Sequence, residues 1–489
     1  MLKFKEYVLR YALAALTILA LAGCATVGPD YVRPEISVSK TWHTELRGGL
    51  SYKEINSQTE VHWWTTLNDP VLTSLIERSV KKNLSLQTAL ARVREARARR
   101  GIVESDLFPS FDFKGSAAWS RDNKVKETTE HYSARIDSSW ELDFFGGNQR
   151  SLEASQADLE ARHADLDDVL ISLQAEVALN YIEVRTFQRR LEIAEANLSI
   201  QKEAYQLASW RHQAGLSDEL ALQQARYNLE NTHSQIPTLK TGVEEAMNRI
   251  AVLIGEQPGS VHHELKDPKP VFTPTLEIAV GIPADLLGRR PDVRSAERAL
   301  AAQTARVGAA KAELYPKISL SGSIGLESLS LNSLVSSATK SITGGSLITM
   351  PIFRSGAIRQ NIKVQTALQE QALIKYEAAV LNALEEVENA LTSYSHEQIR
   401  KEALQEAENA ATKAADLAMH KYTGGLRDFG DVLESQRSLL SFQDQLAQSE
   451  GIIVINLIKL YKALGGGWQS MYSNDKKTAF EMERGDETD

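Results

Sequence analysis

The longest regular pattern in the chain lies in two stretches without glycine or proline. Residues 148–214 and 357–423 are each 67 residues long, rich in Ala, Leu, Glu, Gln and Arg, and followed by glycine. Such composition predicts helix, and one of this length would measure roughly 100 Å at 1.5 Å per residue. Ordinary globular helices span three or four turns, so two of this size need a coiled coil or a long tube to sustain them. Each is followed by a short break, Arg211 to Asp218 and Lys421 to Asp428, where Gly215, Gly424 and Gly425 permit reversal and Ser217, Asp218 or Asp428 can cap the next helix. The return helices are expected to run to Gly255 and Gly465, with Pro237 bending the first.

Before each long stretch the period changes from helical to two. Phe111, Phe113, Ala117 and Trp119 alternate with Asp112, Lys114 and Ser116, and Tyr132, Ala134, Ile136, Trp140 and Leu142 with Arg135, Asp137, Glu141 and Asp143. In the second half Ile318, Leu320, Ile324 and Leu326 oppose Lys317, Ser319, Ser321 and Ser323, followed by Ile342, Ile348, Met350 and Ile352 against Thr343 and Thr349. Segments of about ten residues with one apolar and one polar side are what a membrane strand beside water requires, although a half-buried soluble hairpin has the same pattern. Four strands cannot close a barrel, and open edges in lipid leave backbone groups without partners. If these strands span a membrane, several chains must pool them, and three chains would supply twelve.

The two halves form an internal repeat. Leu107-Phe108-Pro109 matches Leu314-Tyr315-Pro316, Phe145 with Gly147 and Arg150 matches Phe353 with Gly356 and Arg359, Gly215 with Asp218 matches Gly425 with Asp428, and Gly255 matches Gly465, at offsets of 207 to 210 residues. A tandem duplication of about 200 residues suits pseudo-symmetric halves of one body. Each half is expected to open with a helix, near Leu72–Leu107 and Arg294–Leu314. The predicted organisation is a leader over 1–23, an anchor and strap over 24–61, a first repeat over 62–256, a proline-rich linker over 257–285, a second repeat over 286–468 and a charged, disordered tail over 469–489.

The N-terminus carries the sharpest local signal. Lys3, Lys5 and Arg10 precede an apolar run from Ala12 to Leu21, too short to cross a bilayer, and Ala22 and Gly23 precede Cys24, the single cysteine of the chain. Leu21-Ala22-Gly23-Cys24 resembles the lipobox of bacterial lipoproteins, which implies cleavage before Cys24 and covalent lipid on it; Ala25 in place of Asp resembles an outer-membrane address. No segment after Cys24 has 18 uncharged apolar residues in a row.

Composition removes several function classes. With 55 basic and 64 acidic residues, net −9, the chain lacks the positive field of a nucleic-acid binder. One cysteine rules out a disulfide scaffold or thiolate metal site in the mature body. The ten histidines form no metal-spaced pattern, His262-His263 reads as exposed polar surface, and no Gly-x-Ser-x-Gly elbow or phosphate loop is present, so neither enzyme chemistry nor a cofactor other than the lipid is expected. Asp292-Val293-Arg294 with Glu297-Arg298 reads as a structural joint at a helix start.

Trp63-Trp64 with Asp69-Pro70, the repeated Leu-aromatic-Pro, Trp140-Glu141-Leu142-Asp143-Phe144-Phe145-Gly146, Pro283-Ala284-Asp285-Leu286-Leu287, Arg289-Arg290-Pro291-Asp292-Val293-Arg294 with Ala296-Glu297, and Gly424-Gly425-Leu426 leading to Val432-Leu433-Glu434-Ser435-Gln436-Arg437 resemble the outer-membrane efflux factors, from Val27 to Trp468. The similarity is to the lipidated, NodT-like branch that serves resistance-nodulation-division pumps. It implies a homotrimer with a 12-stranded transmembrane β-barrel, four strands per chain, continued by a periplasmic α-helical barrel. It further implies a periplasmic adaptor and an inner-membrane pump as partners, besides outer-membrane lipid. The work implied is passive exit of small toxic or amphiphilic molecules from periplasm to exterior. A protein-secretion duct and a non-conducting coiled-coil scaffold are the alternatives.

In that frame the breaks become the tips farthest from the membrane. Gly215, Leu216, Ser217 and Asp218, with Gly424, Gly425, Leu426 and Asp428, are the expected adaptor contacts. Asp416, about two turns before the second break, is the expected selectivity residue if it faces the axis, where threefold symmetry would make a carboxylate ring. Arg211, Tyr422 and Arg427 are the expected contacts holding neighbouring helices closed.

Overall fold

A computed structural model describes residues 26–51, 62–122, 127–270, 278–281, 283, 288–336 and 339–466. The leader with Cys24, parts of the strap and linker, and the tail lie outside the described residues. In chain order the elements are β1 (Leu50–Ser51), α1 (Pro70–Lys82), α2 (Leu84–Ser105), β2 (Ser110–Asp122), β3 (Glu127–Leu142), α3 (Gly147–Gln213), α4 (Glu219–Leu253), α5 (His262–Leu265), β4 (Ile278–Ala279), α6 (Pro291–Ala312), β5 (Lys317–Ser328), β6 (Lys340–Thr349), α7 (Ala357–Thr423) and α8 (Phe429–Ala463). Both 67-residue helices form, one residue earlier than expected in the first half.

Two compact units result. One holds Ala91–Ala164 and Arg294–Ala379 with the strap up to Ile36; the other holds Ser37–Leu90, Asp165–Val293 and the chain from Val380. The first contains an antiparallel sheet in the order β2-β3-β5-β6. The second contains the ends of the long helices, both return helices and a two-residue parallel pairing of β1 with β4.

The first helix of the first half differs from expectation, because it is broken at Asn83 into α1 and α2. Asn83 is extended, its Oδ1 accepts from the Leu86 amide at 2.9 Å as a cap, and its Nδ2 donates to the Leu253 carbonyl at 2.8 Å. The same joint recurs in the second half, where the Arg290 guanidinium donates to the Ala463 carbonyl at 3.0 Å. A return helix thus ends on a side chain at the start of its half's first helix in both repeats. Arg290 also pairs with Asp292 and Glu386, so the joint expected over residues 292–298 begins two residues earlier.

The duplication has a sharper register than residue types suggest. α2 and α6 differ by 207 at both ends, whereas α3 and α7 differ by 210 at both ends. β3 and β6 already follow the 210 offset, since Phe113 pairs Ile136 where Leu320 pairs Ser346. The three extra residues therefore lie in the second hairpin turn, between Leu326 and Lys340. Matching Phe145 with Phe353 and Arg150 with Arg359 is displaced as a consequence; the structural counterparts are Ser355 and Gln360.

α4 continues through Pro237. The linker residue His262, expected on the surface, pairs with Glu244. Among the described residues no three metal-ligating side chains cluster, and no helix is long and apolar enough to cross a membrane.

Candidate functional site

Two regions carry the features that bear on function, the sheet in one unit and the helix tips in the other. Strand alternation gives the sheet two chemically opposite faces. Phe113, Ile136, Ile324 and Ile342 form one row across all four strands, and Trp140 and Leu320 lie on the same face. The opposite face carries the row Asp112, Asp137, Ser323 and Thr343, with Lys114 and Arg135 beside it. Its charges compensate one another laterally: Lys114 and Arg135 each approach Asp137 at 3.1 Å, Lys317 approaches Glu141 at 3.3 Å, and His131 approaches Glu327 at 2.6 Å. The apolar side chains cover no core, for Phe113 and Ile342 remain at least three-quarters exposed.

The apolar band is bounded by Trp119 and Trp140, whose β3 positions are ten residues apart through the Trp119–Glu130 pairing. At about 3.3 Å per residue and an inclination of about 40°, that separation gives a band about 25 Å tall, the height of a membrane barrel's apolar girdle. Both outer strands, β2 and β6, have one unpaired edge among the described residues. A sheet with an apolar face, a charged face and two open edges can neither stand alone in lipid nor close on itself.

At the base of this sheet the strap is seated by small residues. Gly146 takes a left-handed φ of 72°, and a Cβ there would lie 2.6 Å from Thr26. The Val27 amide donates to the Phe145 carbonyl at 3.1 Å. The buried Arg150 donates to Val27 O and pairs with Asp30 at 2.6 Å and Glu153 at 2.7 Å. Further along, Tyr31 donates to Glu297, whose carboxyl is depressed although burial opposes this, by hydrogen bonds from Arg298 and Tyr31. Residue types alone did not reveal this clasp, because the strap residues lie 118 or more positions from their partners in sequence.

The two helix tips share one backbone device. In the first, Leu216 N donates to Arg211 O at 2.8 Å and Gly215 N to His212 O at 2.9 Å; in the second, Leu426 N donates to Lys421 O at 2.8 Å and Gly425 N to Tyr422 O at 3.0 Å. Both glycines are left-handed, at φ 72° and 75°, which is the reversal that only glycine adopts cheaply. Leu216 and Leu426 then project into solvent, 70% and 77% exposed. Asp218 accepts from the Ala221 amide at 2.9 Å and caps α4, whereas Asp428 makes no side-chain cap.

The helices behind the tips meet in one apolar cluster of Ala204, Ala208, Ala225, Tyr422, Phe429, Val432 and Leu433. Tyr422 is only 6% exposed, packs on Phe429 at 4.9 Å between ring centroids, and carries the Arg211 guanidinium 4.6 Å above its ring. Arg211 and Tyr422 are thus brought together within one chain, while Arg427, in the break, pairs with Asp431 in the first turn of α8 at 3.3 Å. Asp416 is exposed, one position beyond the buried Ala415. In the first tip the positions of Tyr422 and Phe429 are held by His212 and Glu219, which approach at 3.1 Å, and His212 Nδ1 lies 3.2 Å from the Ser217 carbonyl. Phe429 was not among the expected tip residues; an aromatic directly after the Asp428 cap was its only signal.

Comparison with known proteins agrees with this arrangement. The profile of the family described as "Outer membrane efflux protein" matches residues 75–256 and 282–466, one match per repeat. The chain is 32% identical over 460 residues to Nodulation protein T of Rhizobium leguminosarum bv. trifolii, covering 92% of this chain and 96% of that one. It is 30% identical to the toluene efflux pump outer membrane protein TtgI of Pseudomonas putida, covering 96% and 99%. Among solved structures, the outer-membrane channel OprN superposes with a TM-score of 0.86 at 37% identity, over 91% of this chain and all of that one.

Proposed function

The chain belongs to the outer membrane efflux protein family, and on that premise we propose how it works as an exit duct. Three copies pool their sheets into a twelve-stranded barrel with the apolar faces in lipid and the charged faces around the lumen. The helices below continue the duct in the periplasm and form its wall. The duct is passive. A periplasmic adaptor and an inner-membrane pump of the resistance-nodulation-division class supply the drive, and the cargo is small toxic or amphiphilic molecules, as the toluene efflux relative suggests by name.

One observation carries the proposal: a four-stranded sheet that is apolar on one side, ion-paired on the other and open at both edges. Hydrocarbon accepts the first face, water the second, and a second and third copy the edges. The lumen wall is neutralised strand to strand, which suits the passage of cargo of either sign.

Cys24 bears the covalent lipid that anchors the N-terminus. The clasp on Thr26 and Val27 supports this, since two residues separate the acylated position from the base of the sheet. The exposed Leu216 and Leu426 with their flanking Gly215, Ser217, Asp218, Gly424, Gly425 and Asp428 are the adaptor's contacts. Asp416 lines the constriction as a ring of three. Arg211 and Tyr422 stiffen the tip within a chain, and Arg427 is the arginine free to exchange Asp431 for a neighbour when the tip opens.

Planar-bilayer recording of the purified protein tests the duct, with discrete single-channel openings expected; a protein that inserts and never conducts would be a scaffold. Cys24→Ser is expected to abolish metabolic labelling with fatty acid while the barrel strands retain their own membrane signal.

A further inference from the structure

The wall that α2, α3 and α6 form next to the sheet has two faces of different chemistry. One is covered by the strap: Tyr31 donates to Glu297, and Arg298 stands 5.5 Å from the Tyr31 ring centroid and pairs with Glu160 at 3.1 Å. Gln156 joins this face, accepting from Arg100 at 2.7 Å and donating to Glu160 at 2.9 Å. On α3, Asp158 and Arg162 are each two residues from Glu160, about 200° round the helix. On α6, Arg306 is likewise two residues from Gly308, where a Cβ would fall 3.0 Å from the Val27 carbonyl. These three charged side chains therefore stand on the face away from the strap.

On that face Arg92, Glu95 and Arg99 of α2, Asp158 and Arg162 of α3 and Arg306 of α6 line one recess of about 440 Å³. Arg99 pairs with Glu95 at 2.8 Å and Arg306 with Asp158, whereas Arg92 makes no hydrogen bond or ion pair among the described residues. Four guanidinium groups against two carboxylates leave the recess with two positive charges in excess. Arg306 also lines the adjoining recess, together with Glu141 and Lys317 of the ion-paired sheet face. The arginines thus lie on the side of the wall that continues the charged face of the sheet. In the adjoining recess Asp143 and Glu313 join Glu141 and the balance is acidic, so the positive excess is confined to the recess farther from the strands.

We infer that this recess is an oxyanion site of the lumen wall, taking the carboxylate, sulfonate or phosphate group of an anionic amphiphile in transit. The inference rests on the reading proposed above, in which the charged sheet face surrounds the lumen. Guanidinium suits the task, since its planar fork meets two oxygens of such a group at once. Arg92 is without a partner to give up, and Arg99 is held only by an exposed pair one helical turn away, which it exchanges for the ligand at small cost. Asp158 works against binding by occupying Arg306. A recess of about 440 Å³ admits a drug-sized molecule, its charged head on the arginines and its apolar part against Ala96. The site opens to water and its charges are screened, so it holds weakly, and a conducting wall needs residence short enough for release. Anionic cargo is thereby concentrated just before strands whose own wall is neutral.

The test uses the full-length protein in detergent and benzene-1,3-disulfonate, a dianion too polar to enter micelles, whose two sulfonates match the two excess charges. Ligand-observed NMR titration is expected to show binding that weakens as chloride is raised. Arg92→Gln should weaken it about tenfold and Arg92→Lys about threefold, because lysine restores the charge without the fork. Asp158→Asn, which releases Arg306, should tighten it. Circular dichroism and particle mass like those of the wild type show that each variant is folded. Binding that is absent, or that Arg92→Gln and Asp158→Asn leave unchanged, overturns the site and leaves the duct standing. In planar bilayers the same dianion should reduce the single-channel current of the wild type, and that of Arg92→Gln less. A conducting channel whose current ignores the bound dianion puts the recess outside the lumen, where a lipid headgroup and not cargo would fill it, and overturns the inference. A protein that binds the dianion and never conducts overturns the duct, and the inference with it.

Discussion

α3 and α7 have the same length, start from the same kind of turn below the sheet and end in the same kind of glycine reversal, yet they live in different surroundings. The stripe of α3 that receives α6 is alanine and buried; the same stripe of α7, Val364, Ala367, Gln371 and Ile374, is mostly bulkier and is exposed. Duplication copied the backbone and the turn chemistry, and the side chains then diverged according to what each copy of the helix meets. A helix that is covered by its own chain can become narrow and close-packed, whereas one that meets another molecule keeps bulk that has no partner until assembly.

The strongest way to break this comparison is one substitution made at two counterpart positions. Ala157→Asp places a carboxylate against Ala301 and Ala302 with no partner, a cost on the order of 3–5 kcal/mol, and is expected to leave no folded trimer to recover. Ala367→Asp at the exposed counterpart should give normal helix content by circular dichroism but a trimer that dissociates at lower temperature on a gel. Equal loss in both variants would erase the distinction between the buried stripe of α3 and the exposed one of α7.

Next in size is the contrast between tips. Tyr422→Ala removes a buried ring that holds Phe429 and the Arg211 cation and should cost about 3–4 kcal/mol of local stability, read as faster amide exchange over residues 415–433. His212→Ala at the equivalent site loses one partly exposed ion pair and one carbonyl contact, about 1 kcal/mol, and should accelerate exchange far less. A smaller, purely electrical difference is expected at the next pair: Asp416→Ala should lower cation selectivity in bilayers at low salt, and Gln206→Ala, its counterpart on α3, should leave it unchanged.

The smallest effect concerns Asp168, which occupies the position of Ala378. Burial, reinforced by the negative Asp292, raises its carboxyl above the ordinary range despite Lys462 and Arg290 nearby. A carboxyl raised in the folded state favours folding while protonated, and that contribution is lost as pH rises from the unfolded pKa through the folded one. Asp168→Asn should therefore melt slightly higher than wild type at neutral pH, with the gap closing in acid.

Much of this was legible in the sequence because long period and strict alternation survive without tertiary context. The two helices of 67 residues, the four strands and the reversals at Gly215 and Gly425 all follow from spacing. The break at Asn83 did not, since no glycine or proline marks it; it exists because one amide side chain both caps α2 through its Oδ1 and donates to the Leu253 carbonyl through its Nδ2. The repeat register was misjudged by residue likeness, because Phe353 falls two positions, and Gly356 and Arg359 one position, short of the 210 offset that relates β6 to β3. The inward turn of Tyr422 was hidden for a simpler reason: the phase of a long helix with little net amphipathicity cannot be read until its neighbours are known.

The three residues added to the second hairpin turn changed nothing below them, since they sit where a chain end-loop can grow freely. An addition inside α3 or α7 has no such freedom. One residue rotates everything after it by about 100° and carries Tyr422 or Ala204 out of the shared tip cluster. Seven residues restore the phase but leave one helix about 10 Å too long for its twin. The pair acts as two rulers read against each other, so a lineage that needs a duct of different reach has to recut both at once.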